Sequence, residues 1–535
     1  MNRRDVAILF GVALVVRTVA ALLVDYPPYT DPAYYLLVGE QVAHGHGFTT
    51  PVLWSFLEIG GRLPSDPTLP VASNGHWMPL TSVVAAASIW LLEPLLGAWR
   101  AAQVPFVLLS AALVPFTYLV GWELWRSRQV AMAAGVLALL AGPFLVLYPQ
   151  VNNIAVFGGA GAATIWCAIR AVRAERPFWW LVASGALAGV ATLARVDGLL
   201  LVLPAAVAGW VRPGGRSPGA ALAAAAAFLV VLAPWLLRDL AVFGAPFPSA
   251  GGHTLWITTY NQQFSIGTDP SLGSYLAWGL PNIVLSKLAV WGELAGRVAV
   301  LLGGLFILPF AWGLWAERRR PELAPFLVYF AAVFVAMGLV FTFHAPKGAF
   351  YHSAAAWLPF ALPLAVASLP GAASAAGRGW PFLRRPATHR FLLVAGLAGA
   401  AVLSLAGSAV LLGQWRGAHD RLAVAAGYLR DSGATDDRVL AYDPAALHAL
   451  TGNPGVAPPF DPFPTVAEVV DAYDIRWVVV TLPPGETRDP LGLWDGANAT
   501  DSLGTHPDFL PAEPAFEAPG VRVYEVVRQD LPQSD

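Results

Sequence analysis

A helix needs about 20 consecutive, mostly apolar residues to cross the hydrocarbon core of a bilayer. This sequence supplies such runs repeatedly, and no other feature restricts its fold so tightly. The candidate spans are 6–24, 101–122, 130–148, 154–172, 178–194, 197–211, 220–242, 284–315, 322–343, 353–370 and 390–413. The run 197–211 is short, and 284–315 is long enough to be tilted or to include a helix outside the bilayer. Only 12% of the residues are charged, against roughly a quarter in a soluble domain, and mean hydropathy is +0.58. The expected fold is an all-α polytopic bundle of about eleven transmembrane helices with outer juxtamembrane helices, plus a C-terminal soluble α/β domain.

The first run follows Arg3 and Arg4 as a signal peptide would, but it is long enough to span and has no convincing small-residue cleavage site. Segment 80–96 (LTSVVAAASIWLLEPLL) decides the topology, because it is apolar yet carries Glu93-Pro94. If it lies along the outer surface, one side of the membrane receives nearly every arginine cluster. These are Arg3/Arg4, Arg126/Arg128, Arg170/Arg173/Arg176, Arg212/Arg216, Arg318/Arg319/Arg320 and Arg378/Arg384/Arg385/Arg390. If it spans, every cluster after the first moves outside, against the positive-inside rule. The first reading places the N-terminus in the cytoplasm and the C-terminal domain outside, in a cytoplasmic (inner) membrane. Asp31, His76, Asn152, Asn153, Arg195, Asp197, Arg238, Asp239, Lys347 and His352 then share the external face, although none of them entered the charge argument.

The balance of 32 basic and 34 acidic residues leaves no basic footprint for nucleic acid. A single cysteine, Cys167, excludes an intrachain disulfide and a multi-Cys metal site. Lysine is confined to Lys287 and Lys347 while arginine is plentiful, the coding bias of a GC-rich bacterial genome. Neither a Gly-rich phosphate loop nor a catalytic-triad order is present, and there is no internal repeat.

The polar chemistry sits in the connections. The first external loop with its juxtamembrane helices covers 25–100, and its polar part begins DYPPYTDPAYYLLVGEQVAHGHGF and ends SNGHWMPL. A loop this long is functional or disordered, and its aromatics argue for order. Thr30 or Asp31 can cap a helix there, Pro32 suits its first turn, and Gly45 and Gly47 end it. Tyr34, Leu37, Val38 and Gln41 recur at helical spacing, so this helix is expected to lie on the membrane by one apolar face. YPQVNN (148–153) is an outer turn in which Asn152 caps the next helix. LARVDGLLL (193–201) puts Arg195 and Asp197 at an outer helix junction, where charges are paired or functional. They can pair with each other or with Arg238/Asp239. The second external loop, 243–283, is rich in Gly, aromatics and amides. FHAPKGAFYHS sets His344, Lys347, Tyr351 and His352 between two spans, where an ammonium can bind phosphate or snorkel to the interface.

The segment 1–413 is thus read as the membrane domain and 414–535 as a small extracytoplasmic α/β domain. Its expected strands are 438–443, 475–482 and 520–527, alternating with helices. Asn498-Ala499-Thr500 matches a glycosylation sequon, a short pattern common by chance.

In order along the chain, TDPAYYLLVGEQVAHGHGF, HWMPL, ARVDGLL and KGAFYHS, followed by the α/β tail, resemble the GT-C superfamily of membrane glycosyltransferases. The resemblance is to bacterial enzymes similar to dolichyl-phosphate-mannose protein mannosyltransferases and to aminoarabinose transferases acting on lipid A. It implies a helical bundle with the first loop over an outward-facing cavity. It also implies transfer of a sugar from polyprenyl phosphate to a glycan, lipid or protein acceptor, with the acidic residue of loop one, Asp31, as base. His76 falls where relatives carry a Lys or His near the phosphate, but HWMPL has Trp77-Met78 where relatives show HPPL or KPPL. The oligosaccharyltransferase signature WWDYG and its metal site are absent.

Such a transfer requires a base for the acceptor hydroxyl and cations for the departing phosphate. Asp31 is the candidate base, with Asp25 and Asp197 as rivals. Arg195, Arg238, Lys347 and His352 are the candidate phosphate ligands. Tyr34, His76, Asp197 and Tyr351 are candidate acceptor or loop contacts. No cofactor is required. A divalent metal would have to use His44 and His46, fewer than the three protein ligands of most catalytic sites. The alternatives are a polyprenyl-linked lipid flippase or transporter and a non-catalytic envelope assembly protein. A transporter would show inverted repeats and mid-membrane charges, which are not visible here.

Overall fold

The structure is a computed structural model that describes residues 2–248, 254–377 and 379–527. Arg378 of the last arginine cluster and 249–253 of the second loop lie outside the described residues.

Helix α1 (Arg3–Leu22) is followed by α2 (Thr30–Ala43), by the short strands β1 (Thr49–Thr50), β2 (Val52–Leu53) and β3 (Val71–Ala72), and by α3 (Leu80–Leu96). The bundle continues with α4 (Ala98–Trp125), α5 (Arg128–Leu140), α6 (Phe144–Leu147), α7 (Asn153–Arg173), α8 (Phe178–Ala194), α9 (Val202–Val211) and α10 (Pro218–Phe243). After the second loop come α11 (Leu272–Ala277), α12 (Leu280–Leu301), α13 (Ile307–Ala316), α14 (Ala324–Val335), α15 (Ala349–Ala376) and α16 (Pro386–Asp431).

Seven of the described helical segments are long and apolar enough to cross a membrane: Arg3–Leu22, Ala98–Trp125, Asn153–Arg173, Pro218–Phe243, Pro321–Val340, Ala349–Ala376 and Pro386–Asp431. The expected spans 130–148, 178–194, 197–211 and 284–315 are shorter or broken helices. Pro143 interrupts the first of these between α5 and α6. Gly303 and Gly304, at φ +73° and +77°, interrupt the last between α12 and α13. No helix continues through two successive left-handed residues, and only glycine adopts them without strain.

Segment 80–96 forms α3, which packs along α2 and α4 and leaves Trp90, Leu91 and Leu95 more than 60% exposed. Helix α2 differs from expectation. It is buried continuously from Pro32 to Gly39 instead of along one stripe. One face meets α3, and another, through Ala33 and Leu37, meets Val52 and Ala445.

Helix α16 runs unbroken for 46 residues, about 69 Å at 1.5 Å per residue, so residue 414 falls inside it. Beyond it lie β4 (Val439–Ala441), α17 (Pro444–Thr451), β5 (Gly455–Val456), α18 (Phe463–Ala472), β6 (Trp477–Thr481), β7 (Phe516–Ala518) and β8 (Val521–Glu525). The sheet order is β2-β5-β4-β6-β8-β7, parallel from β2 to β6 and antiparallel thereafter. One edge strand, β2, therefore belongs to the first loop. Val52 and Leu53 register with Gly455 and Val456, and the Ala457 N–H donates to the Leu53 carbonyl at 2.8 Å. Leu53 and Phe56 enter the same core as Val456, Phe463, Val466 and Tyr473. The second loop is tied in as well. Asp461 accepts from the Ser265 hydroxyl and from the N–H groups of Ile266 (2.6 Å) and Gly267 (3.1 Å). The C-terminal domain clamps both loops over the bundle.

Candidate active site

Asp31 is the second residue of α2. Tyr29 is the N-cap residue and supplies no side-chain cap, so Asp31 does not act as the helix cap. Thr30 instead donates its hydroxyl to Asp443 Oδ2 at 3.0 Å, fastening the start of α2 to the start of α17. Among the described residues the Asp31 carboxylate makes no hydrogen bond. Burial lifts its pKa to about 6, Arg195 opposes that rise, and Asp443 adds to it. A carboxylate so placed is ionised at neutral pH and more basic than an exposed one.

Arg195 caps the C-terminal end of α8. Its Nε donates to Asp197 Oδ1 at 2.8 Å, and Asp197 also accepts from the Ser353 hydroxyl of α15. Gly198 makes this tight turn possible, since a Cβ there would lie 2.6 Å from the Thr192 nitrogen. Among the described residues, the terminal guanidinium nitrogens of Arg195 have no hydrogen-bond partner. The charge of Arg195 acts on Asp31, Tyr35, His76, His344 and His352, which places these groups around one centre. One line of bonds crosses that centre. His352 Nδ1 donates to the Asn153 carbonyl oxygen, and Asn153 Nδ2 donates to Tyr35 Oη at 2.9 Å. Tyr35 lies one turn beyond Asp31, on the same face of α2.

Burial, followed by the charges of His344 and Arg195, lowers the pKa of His76 to about 3. Burial and Arg195 lower His344 to about 4. Both rings are neutral at pH 7, so the fixed positive charge acting on this centre comes from Arg195, with exposed Lys347 beside it against Tyr260. The Lys347 ammonium lies 5.5 Å from the Tyr260 ring centre and has no hydrogen bond or ion pair among the described residues. Tyr260 is also within reach of the charge on Asp31, so this second-loop ring links the two groups.

Other candidates are placed elsewhere. Arg238 donates to Asp239 at 2.9 Å and packs among Phe48, Trp235 and Phe243. Among the described residues it shares no contact with Arg195, Lys347 or His352. Tyr34 turns into the loop, donating to buried Glu58 and accepting from the Asn74 N–H at 2.7 Å. Glu58 gathers that loop, accepting also from Asn74 N–H, Trp54 Nε1 (3.1 Å) and His76 N–H (3.3 Å). The Tyr351 ring faces Arg297 at 4.7 Å. Arg297 donates to the Pro346 carbonyl at 2.5 Å and so braces the turn that carries Lys347. Asp25 is exposed at the mouth of a separate cavity. His44 pairs with Glu93 at 2.9 Å and His46 with Gln41 at 3.0 Å. Among the described residues no three His, Cys, Asp or Glu side chains gather as a metal site.

Sequence reasoning placed Asn153 on the shared face without a role, and did not single out Tyr35, Tyr260, Glu58 or Arg297 as site residues. Tyr35 was within reach of such reasoning, at i+4 from Asp31; the others depend on distant packing.

No family model and no curated protein matches the chain. Solved structures do. ArnT from Cupriavidus metallidurans bound to undecaprenyl phosphate is 16% identical, with 98% of each chain covered and a TM-score of 0.57. Its apo state gives 15%, 97% of each chain and 0.54. The archaeal oligosaccharyltransferase AglB from Archaeoglobus fulgidus, in complex with an inhibitory peptide and a dolichol-phosphate, is 12% identical over 88% of this chain and 69% of its own, with a TM-score of 0.54. Likeness over nearly the whole length gives this chain the same fold as these structures.

Proposed function

We propose that this chain is an inverting membrane glycosyltransferase. It moves a hexosyl or pentosyl group from a polyprenyl-phosphate donor to an acceptor at the outer face of a bacterial cytoplasmic membrane. The observation that carries the reading is the Asp31 carboxylate, without a hydrogen bond among the described residues, held in the field of Arg195. The polyprenyl phosphate and dolichol-phosphate named with the similar structures support the donor class.

The acceptor oxygen attacks the anomeric carbon while Asp31 takes its proton. The bond from that carbon to the phosphate oxygen breaks, and its electron pair leaves with polyprenyl phosphate. Arg195 and Lys347 stabilise the charge that develops there, and His352, fixed by Asn153, adds a polar contact. Asp197 is held by Arg195 and Ser353, so Asp31 is the carboxylate left to act, which fits a single displacement. Phosphate is already a good leaving group, so neither a general acid nor a cofactor is demanded, and a chelator is expected to leave the rate unchanged.

The test is purified Asp31→Asn with a labelled donor. A positioned base is worth roughly 10²–10⁴-fold, so transfer should fall by that amount with donor binding intact. Full activity would remove Asp31 from the mechanism. Movement of intact donor across the bilayer, without release of polyprenyl phosphate, would make the chain a flippase.

A further inference from the structure

A cavity of about 1140 Å³ lies between the start of the first loop, the middle of α16 and the C-terminal domain. It is larger than the usual small-molecule pocket of roughly 300–1,000 Å³. Arg195, Lys347 and His352 do not line it. It meets the candidate active site at one place. Tyr29 and Asp443 form part of its wall, Thr30 bonds to Asp443, and the next residue is Asp31. Asp31 does not itself line the cavity; it stands next to Thr30 at the cavity wall, where the charges of Arg195 and Asp443 both act on it, behind the larger effect of its own burial.

The lining has a definite chemistry. Tyr26, Tyr29, Trp99 and Trp415 supply aromatic surface, with Tyr29 against Trp415 at 5.6 Å. Asp25, Glu40, Asp443 and Glu486 supply carboxylates. Arg421 is the cation of the lining, and His419, stacked on Tyr26 at 3.7 Å, is kept neutral by burial. Aromatic faces pack against the C–H faces of sugar rings, and carboxylates accept from sugar hydroxyls. Burial raises the pKa of Glu40 to about 7 and that of Asp443 above the usual carboxylate range, so the negative charge of the lining comes chiefly from the exposed Asp25 and Glu486, and it disfavours phosphate or carboxylate groups on a ligand because like charges at short range repel.

We infer that this cavity binds the acceptor, and that the acceptor is a neutral or amine-bearing saccharide whose hydroxyl is presented to Asp31. The inference rests on the glycosyltransferase reading and deepens it. Donor and acceptor approach Asp31 from separate spaces, so the phosphate-binding cations and the acceptor-binding carboxylates do not neutralise each other.

The experiment measures acceptor-site binding without donor, so its failure is distinct from failure of the transfer reading. Full-length protein in nanodiscs is titrated, by saturation-transfer NMR, with mannotriose, its 2-amino-2-deoxy counterpart, a uronic-acid trisaccharide and a Ser/Thr-containing peptide, each to millimolar concentration. The neutral and amine-bearing sugars should bind, and the uronate should bind at least tenfold more weakly. Trp415→Ala should weaken sugar binding about tenfold. The double variant Asp25→Asn/Glu486→Gln, altered only at exposed positions, should weaken it severalfold and narrow the gap between amine-bearing and uronic sugars. Absence of sugar binding, preference for the uronate or the peptide, or full sugar binding in both cavity variants overturns the inference.

Discussion

On the membrane side of the cleft, Arg195, Asp197, Ser353, Asn153 and His352 hold one another at the ends of α7, α8 and α15. On the opposite side, the Asp31 carboxylate has no hydrogen bond among the described residues. Its position comes from α2, which is wedged between α3 and the C-terminal domain and fastened by Thr30 to Asp443. Arg195 is built into the bundle, and the proposed base is carried by a loop that a separate sheet captures through β2. The two halves of the site should therefore fail separately.

The largest effect should come from removing the clamp. A chain truncated after Asp431 loses the strands that pair with β2 and also loses Asp443 and Asp461. Transfer should fall as far as in Asp31→Asn, roughly 10²–10⁴-fold, with labelled polyprenyl phosphate still bound. Loss of phosphate binding as well would break the comparison. Arg195→Gln tests the opposite half. A hydrogen bond to a charged group is worth about 1.5–3 kcal/mol, so donor affinity should fall about 10–100-fold. Amide hydrogen exchange across 30–76 should not change.

Glu58→Ala leaves Tyr34, Trp54 and the loop amides without their shared acceptor. Each buried donor so stranded costs about 1–3 kcal/mol. Faster hydrogen exchange should appear in 54–77, with phosphate affinity preserved. The smallest effect concerns pH. Asp31 must be ionised to accept a proton, and its pKa is raised to about 6, so the rate should climb as pH rises through about 6 and fall below it. Asp443→Asn removes a negative charge that raises this pKa, so the acid limb should move to lower pH. A limb that stays in place would uncouple Asp443 from the base.

What could be read along the chain follows a physical line. Runs such as 101–122 and 154–172 were legible because burying a helix in lipid demands a continuous apolar sequence, whatever the helix packs against. The arginine junction in ARVDGLL and the scarce Lys347 stood out because charge is rare in such a chain. The strand Val52–Leu53 was not legible, since two residues carry no periodicity and pair only because Gly455–Val456 offers an edge. The continuous burial of α2 was missed for the same reason: its second buried face is supplied by Ala445 in α17, some four hundred residues away.

The sequence alone determined that the chain must be a helical membrane bundle with polar connections and an α/β tail, because the bilayer and the alternation of strand and helix act on local stretches. The tertiary structure alone decided that Asp31, Asn153, Arg195 and His352 share one centre, that Arg238 stands apart from it, and that the tail holds the loop bearing Asp31. Those outcomes depend on which distant surfaces become neighbours when the helices pack, and local composition does not encode that.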